Sequence, residues 1–154
     1  MKIAIGCDEA AYRLKAEIMK HLDEKGVEYQ DFGADEGEAV LYPDIAVRAA
    51  EAVARGEFER GILVCGTGIG MAITANKVPG IRAAVCHDPF SAERARKSND
   101  AQIMCMGERV IGLELAKCLV DIWLSCEFSG GGSGPKVDRI MEYEKEYLER
   151  AGKP

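Results

Sequence analysis

Short apolar runs alternate along the chain with stretches whose apolar positions recur every three or four residues. Ile3, Ala4 and Ile5 form the first run and read as a short buried strand. Ala11, Leu14, Ile18 and Leu22 then recur at helical spacing, and Gly26 is a natural stop. Residues 27–32 predict a second strand, residues 33–42 a polar loop, and Pro43-Asp44 the start of a helix ending near Gly56. Ile62, Leu63 and Val64 predict a third strand; a glycine-rich segment follows at once, and residues 71–77 predict a short helix. Residues 81–85 read as strand four, 90–97 as a helix and 103–106 as strand five. Leu115, Ala116, Leu119, Val120, Trp123 and Leu124 share one helical face, and residues 129–134 form a flexible glycine–serine loop.

This alternation predicts an α/β fold built on a five-stranded parallel sheet. The 154 residues suggest one domain over 1–154, with no internal repeat and no second-domain boundary. A last helix over 135–150 carries Val137, Ile140, Met141, Tyr147 and Leu148 along one side. It comes after five strands are already covered, so we read it as packing on a partner subunit. Folding back on its own domain is the alternative.

An apolar content of 47% and a charged content of 30% are ordinary for a globular protein. The formal net charge of −6 argues against non-specific nucleic-acid binding. It also requires local positive features to hold any anionic substrate. None of the six cysteines forms a Cys-x-x-Cys pair, which argues against a zinc ribbon or a thioredoxin-like site. Core packing is the favoured reading for Cys7, Cys86, Cys105, Cys118 and Cys126, and free cysteines suit a reducing, cytoplasmic setting. The N-terminus lacks the apolar stretch of a signal peptide, and no segment is long enough to span a bilayer.

The sharpest chemical feature is Cys65-Gly66-Thr67-Gly68-Ile69-Gly70, between a strand and a helix and so at the carboxyl edge of the sheet, where ligands of open α/β folds bind. Glycine at every second position lets the backbone turn tightly and present its amides to a phosphate or an enediolate. The spacing is not that of a dinucleotide fingerprint, and the lysine of a phosphate-binding loop is missing. A purely structural turn is the plainer alternative. Cys65 heads the loop, where exposed amides favour a thiolate able to act as a base. Thr67 either shuttles a proton or caps the helix. Asp8 and Glu9 follow the first strand and either bind sugar hydroxyls or cap a helix. His21 reads as solvated, and His87 as structural although near the edge. Lys77, Arg82 and Arg109 default to solvated surface bases.

At Gly6-Cys7-Asp8, residues 65–71, residues 75–82, Asn99-Asp100 and residues 107–112 (Gly-Glu-Arg-Val-Ile-Gly), the sequence resembles the family of ribose-5-phosphate isomerase B and galactose-6-phosphate isomerase. The resemblance covers nearly the whole chain. It implies a three-layer αβα Rossmann-like sandwich and a homodimer, or dimer of dimers, with the active site at the interface and the C-terminal helix reaching across. It implies no metal and no organic cofactor. It implies that Cys65 moves a proton between C1 and C2 through a cis-enediolate, that residues 66–70 stabilise the enediolate, and that Thr67 moves protons between oxygens. Asp8, Glu9 and Asn99 line the substrate, and Arg109 with bases of the C-terminal region holds the phosphate. The paired-subunit members of the family leave a non-catalytic sugar-phosphate-binding subunit as the alternative function.

The sequence departs from the family pattern at several positions. The usual Asp-His is Asp8-Glu9, and the histidine that opens the sugar ring is replaced by Ser98. One phosphate-binding arginine is lost at Gly132 and another becomes Lys136. Serine cannot act as an acid in place of imidazole near neutral pH. The stretch 98–103 also resembles the erythrulose-4-phosphate isomerase branch, which points to a tetrose 4-phosphate as well as a ribose 5-phosphate.

Overall fold

A computed structural model describes residues 1–152; Lys153 and Pro154, the end of the expected domain, lie outside the described residues. Five strands carry the apolar runs: β1 (Lys2–Cys7), β2 (Glu28–Asp31), β3 (Arg60–Cys65), β4 (Ala83–Val85) and β5 (Ile103–Gly107). Six helices follow the periodic stretches: α1 (Tyr12–Glu24), α2 (Tyr42–Ala54), α3 (Ile69–Ala75), α4 (Pro89–Lys97), α5 (Leu113–Ser125) and α6 (Gly134–Ala151). The strands form one parallel sheet in the order β2-β1-β3-β5-β4.

Alternation along each central strand feeds two cores. Ile3, Ile5, Ile62, Val64, Met104 and Met106 point to one face, covered by Leu14, Ile18 and Leu22 of α1, Ala92 and Ala95 of α4, and Leu119, Val120 and Trp123 of α5. Ala4, Leu63, Cys65, Ile103 and Cys105 point to the other, covered by Ile45, Ala46, Ala49 and Val53 of α2 and Met71, Ala72 and Ala75 of α3. The expected three-layer αβα, Rossmann-like arrangement is therefore present. Each fully buried Ile or Leu in these layers contributes about 2 kcal/mol of apolar transfer.

Two boundaries differ from the pattern. Helix α3 begins at Ile69, not at residue 71, because Gly68 (φ 77°) turns the chain into the helix directly. Strand β4 begins at Ala83, not at residue 81: the Ile81 amide donates to the Val78 carbonyl and the Arg82 amide to Gln102 Oε1, so neither joins the ladder.

The site follows from the strand order. From β1 the chain moves outward to β2 and then crosses back to β3 on the other side of β1. The segments leaving β1 and β3 therefore run to opposite faces and open a crevice at the carboxyl edge.

Helix α6 touches its own domain through buried Val137, through Glu144, which accepts from the Gly80 amide at 2.9 Å, and through Met141, whose sulfur lies 3.0 Å from Arg82 Nη1. Ile140, Tyr143, Tyr147 and Leu148 stay exposed.

Candidate active site

A cleft of about 510 Å³ opens at this edge, lined by Asp8, Glu9 and Ala10 after β1, by Tyr42, by Cys65, Gly66, Thr67, Ile69 and Gly70 after β3, by Ile73, and by Arg109 after β5. The three glycines of the loop have separate reasons to be glycine. Gly68 alone has a positive φ, and a Cβ there would stand 2.9 Å from the Met106 backbone. A Cβ on Gly66 would stand 3.3 Å from Arg109 Nη1, and one on Gly70 2.5 Å from the Tyr42 ring. Gly107, where β5 ends, belongs to the same packing: its Cβ would fall 2.6 Å from Thr67 Cα.

Cys65 is nearly buried, and its sulfur accepts a 3.1 Å hydrogen bond from the Gly68 amide. The Thr67 hydroxyl accepts from the Ile69 amide at 3.3 Å. The loop is tied to the strand beside it, since the Glu108 amide donates to the Cys65 carbonyl at 3.0 Å and the Arg109 amide to the Gly66 carbonyl at 3.1 Å. Asp8 both lines the cleft and caps the short turn Glu9–Ala11, accepting from the Ala10 amide at 3.1 Å. Burial pushes its carboxyl above the usual range, against the opposing pull of the Ala10 amide and Arg109. Glu9 accepts from the Val40 amide at 3.3 Å, holding the loop that leads to Tyr42.

The other cysteines divide. Burial pushes the Cys7 thiol up to about 11 and that of Cys86 to about 12, and holds Cys105 well above an ordinary thiol, which keeps all three protonated. Cys126 is buried, but Cys118 is exposed on α5, contrary to the core role expected of it. His21 is not solvated: its side chain is 13% exposed and pairs with Asp121 at 2.7 Å, joining α1 to α5. His87 is structural, accepting from the Gly107 amide through Nε2 at 2.9 Å. Arg82 is no free surface base, for its guanidinium donates to the Asn99 and Asp100 carbonyls and to the Asp100 carboxylate.

Five expected site residues do not line this cleft: Gly68, which packs on the Met106 backbone beneath the loop, and Ser98, Asn99, Gly132 and Lys136. Ser98 ends α4, and its hydroxyl accepts from Arg94 Nη1 at 3.4 Å; the Asn99 carbonyl accepts from Arg82 Nε at 3.0 Å. Gly132 lies in the turn Gly131–Ser133 before α6, and Lys136 in the first turn of α6. Tyr42 and Ile73 are cleft residues that the sequence did not single out. An aromatic ring next to Pro43 at the head of a helix was the available signal for Tyr42. Among the described residues, no three His, Cys, Asp or Glu side chains cluster to hold a metal ion.

The profile of the ribose/galactose isomerase family matches residues 3–140. The chain belongs to that family. It is 59% identical over 145 residues to the ribose-5-P isomerase B of Listeria innocua, covering 94% of this chain and 98% of that protein. It is 56% identical over 145 residues to the D-erythrulose-4-phosphate isomerase of Pectobacterium atrosepticum, covering 94% and 95%. The solved structure of ribose-5-phosphate isomerase B from Clostridium thermocellum superposes with a TM-score of 0.93 at 52% identity, covering 96% of this chain and 99% of that one. The chain is accordingly an aldose–ketose isomerase of sugar phosphates.

Proposed function

We propose that this isomerase works through Cys65 and that its substrate is a tetrose 4-phosphate, interconverting erythrulose 4-phosphate and erythrose 4-phosphate. Cys65 takes the proton from the carbon next to the carbonyl and returns it to the neighbouring carbon. The backbone of residues 66–70 carries the cis-enediolate formed in between, and Thr67 moves a proton from one oxygen to the other. The observation that carries this reading is the Cys65 sulfur, held by the Gly68 amide at 3.1 Å in the wall of a cleft that also contains carboxylates and Arg109.

What supports a tetrose over a ribose substrate is the lack of an imidazole in the cleft wall. Ribose 5-phosphate closes a ring through its 4-hydroxyl and needs an acid to open it; a tetrose 4-phosphate has its 4-oxygen phosphorylated and forms no such ring. Neither histidine lines the cleft. His21 pairs with Asp121, while the accepting Nε2 of His87 is engaged by the Gly107 amide. Ser98 at the expected acid position supplies no imidazole.

A second copy of the chain completes the site in this reading. A phosphate dianion in the cleft meets one guanidinium, Arg109, against the carboxylates of Asp8 and Glu9. Further cation has to arrive from elsewhere, and Asn99, Gly132 and Lys136 lie outside the cleft of their own chain. The exposed Ile140, Tyr143 and Tyr147 of α6 suit a homodimer contact.

A panel of tetrose, pentose and hexose phosphates tests the assignment. Turnover of the tetrose pair is expected, with a loss of about 10³-fold in Cys65→Ala. Fast ribose 5-phosphate turnover without tetrose activity sinks the tetrose assignment and favours the ribose substrate named for the relative from Listeria innocua. A wild-type protein inactive on every sugar favours a non-catalytic sugar-phosphate-binding subunit.

A further inference from the structure

Cys65 and the Asp8–Glu9 pair stand on segments that leave neighbouring strands toward opposite faces, so something has to fix one against the other. We infer that Glu108 is a positioning residue that locks the Asp8–Ala11 turn to the Cys65 loop. Its two ends make the two connections. Its amide donates to the Cys65 carbonyl at 3.0 Å, and its carboxylate Oε2 accepts from the Leu14 amide at 3.0 Å.

The second bond answers a defect in α1. The N-cap of that helix is Ala11, which offers no side-chain acceptor, so the amides of its first turn lack the usual local partner. Leu14 stands third in the helix, where a capping oxygen normally binds. Glu108 supplies that oxygen from 94 residues away and places its negative charge at the positive end of the helix dipole. The turn Glu9–Ala11 runs into α1 without a break, and β1 ends at Cys7, so Asp8 and Glu9 are held between the sheet on one side and the Leu14 amide on the other.

The flanking residues show why this tie reaches the chemistry. Gly107 packs under Thr67, and the Arg109 amide binds the Gly66 carbonyl. Glu108 does not line the substrate cleft; it borders a separate cavity of about 190 Å³, with Arg13 and Glu17 beside it. It acts through Leu14 and Cys65, not by touching substrate.

The inference rests on the isomerase reading, and full-length Glu108→Ala and Glu108→Gln test it beside Cys65→Ala. With the sugar phosphate that the wild type turns over, Glu108→Ala is expected to lower kcat/KM about 10- to 100-fold, mostly through KM. Glu108→Gln keeps an oxygen acceptor and recovers most of that loss. Amide hydrogen exchange in Glu108→Ala is expected to quicken at residues 9–14 while β3 and β5 keep their protection. Wild-type kcat/KM in Glu108→Ala, an equal loss in both variants, or faster exchange spread evenly over the sheet overturns the inference. If the wild type turns over no sugar phosphate, the isomerase reading fails on its own, and exchange at residues 9–14 alone decides whether Glu108 holds the turn.

Discussion

Gly66, Gly68 and Gly70 look like one motif in the sequence, yet each is glycine for a different neighbour. Only Gly68 needs a left-handed backbone; Gly66 admits Arg109 and Gly70 admits Tyr42. The spacing announces a tight turn, but the partners lie far along the chain, so no local pattern reveals them. The capping role of Glu108 is hidden in the sequence for the same reason, because it depends on an amide 94 residues away. His87 was readable as structural, and its geometry gives a pH dependence. Burial lowers its pKa below the ordinary histidine value, partly offset by Asp88. The unfolded chain therefore takes up the proton first, and folding loses stability as pH falls. The His87 contribution is complete above about pH 6.5 and disappears as pH drops through the lower folded value. Protonation also puts a hydrogen on Nε2, which then no longer accepts from Gly107. A urea midpoint that falls from about pH 7.5 to about pH 5.5 in the wild type, and falls less in His87→Gln, is the expected result. Equal slopes in the two proteins would assign the acid loss to other groups.

Elements were more legible than residues. Periods of two and of three to four reflect burial on one face, and burial decides which segments become strands and helices. Boundaries moved where side chains took over backbone partners, as Gln102 does with the Arg82 amide. The turn between α4 and β5 is the extreme case. Asp100 has φ 46°, a conformation that costs a non-glycine residue about 1–2 kcal/mol. It is held by ion pairs to Arg82 at 3.1 Å and Arg96 at 3.0 Å, whose side chains are 15% and 7% exposed. Asp100→Ala leaves both guanidinium groups short of a partner. A loss of about 2–3 kcal/mol is expected, allowing for the third of the Asp100 side chain that water reaches. Asp100→Gly loses the same pairs but relieves the backbone, so it should be less damaging by about 1 kcal/mol. Denaturant unfolding of the two variants separates the terms, and equal losses would mean that the turn carries no backbone strain.

At the scale of the molecule, the sheet and its carboxyl-edge cleft were legible, whereas the surroundings of Ser98, Asn99, Gly132 and Lys136 were not, since these residues do not line the cleft of their own chain. The proposed completion of the site by a second copy has a consequence that no single-chain site shares. Cys65→Ala removes the proposed base from the cleft of its own chain, and in the proposed dimer Asn99→Ala removes a group lent to the partner. Each homodimer is then defective in both of its sites. Mixed after unfolding and refolding, the two variants form hybrids in which one site carries both lesions and the other carries neither. Random pairing makes half of the dimers hybrid with one intact site of two, so activity should return to about a quarter of the wild type. Both substitutions spare the exposed α6 positions Ile140, Tyr143 and Tyr147 proposed as the dimer contact, so pairing is expected to survive them. Tyr143→Glu with Tyr147→Glu is expected to shift the dimer toward monomer in sedimentation and to lower activity with dilution, while leaving the sheet folded. No recovery on mixing, with hybrid dimers demonstrated by mass, would mean that each chain completes its own site and that the missing cation for the phosphate comes from within it.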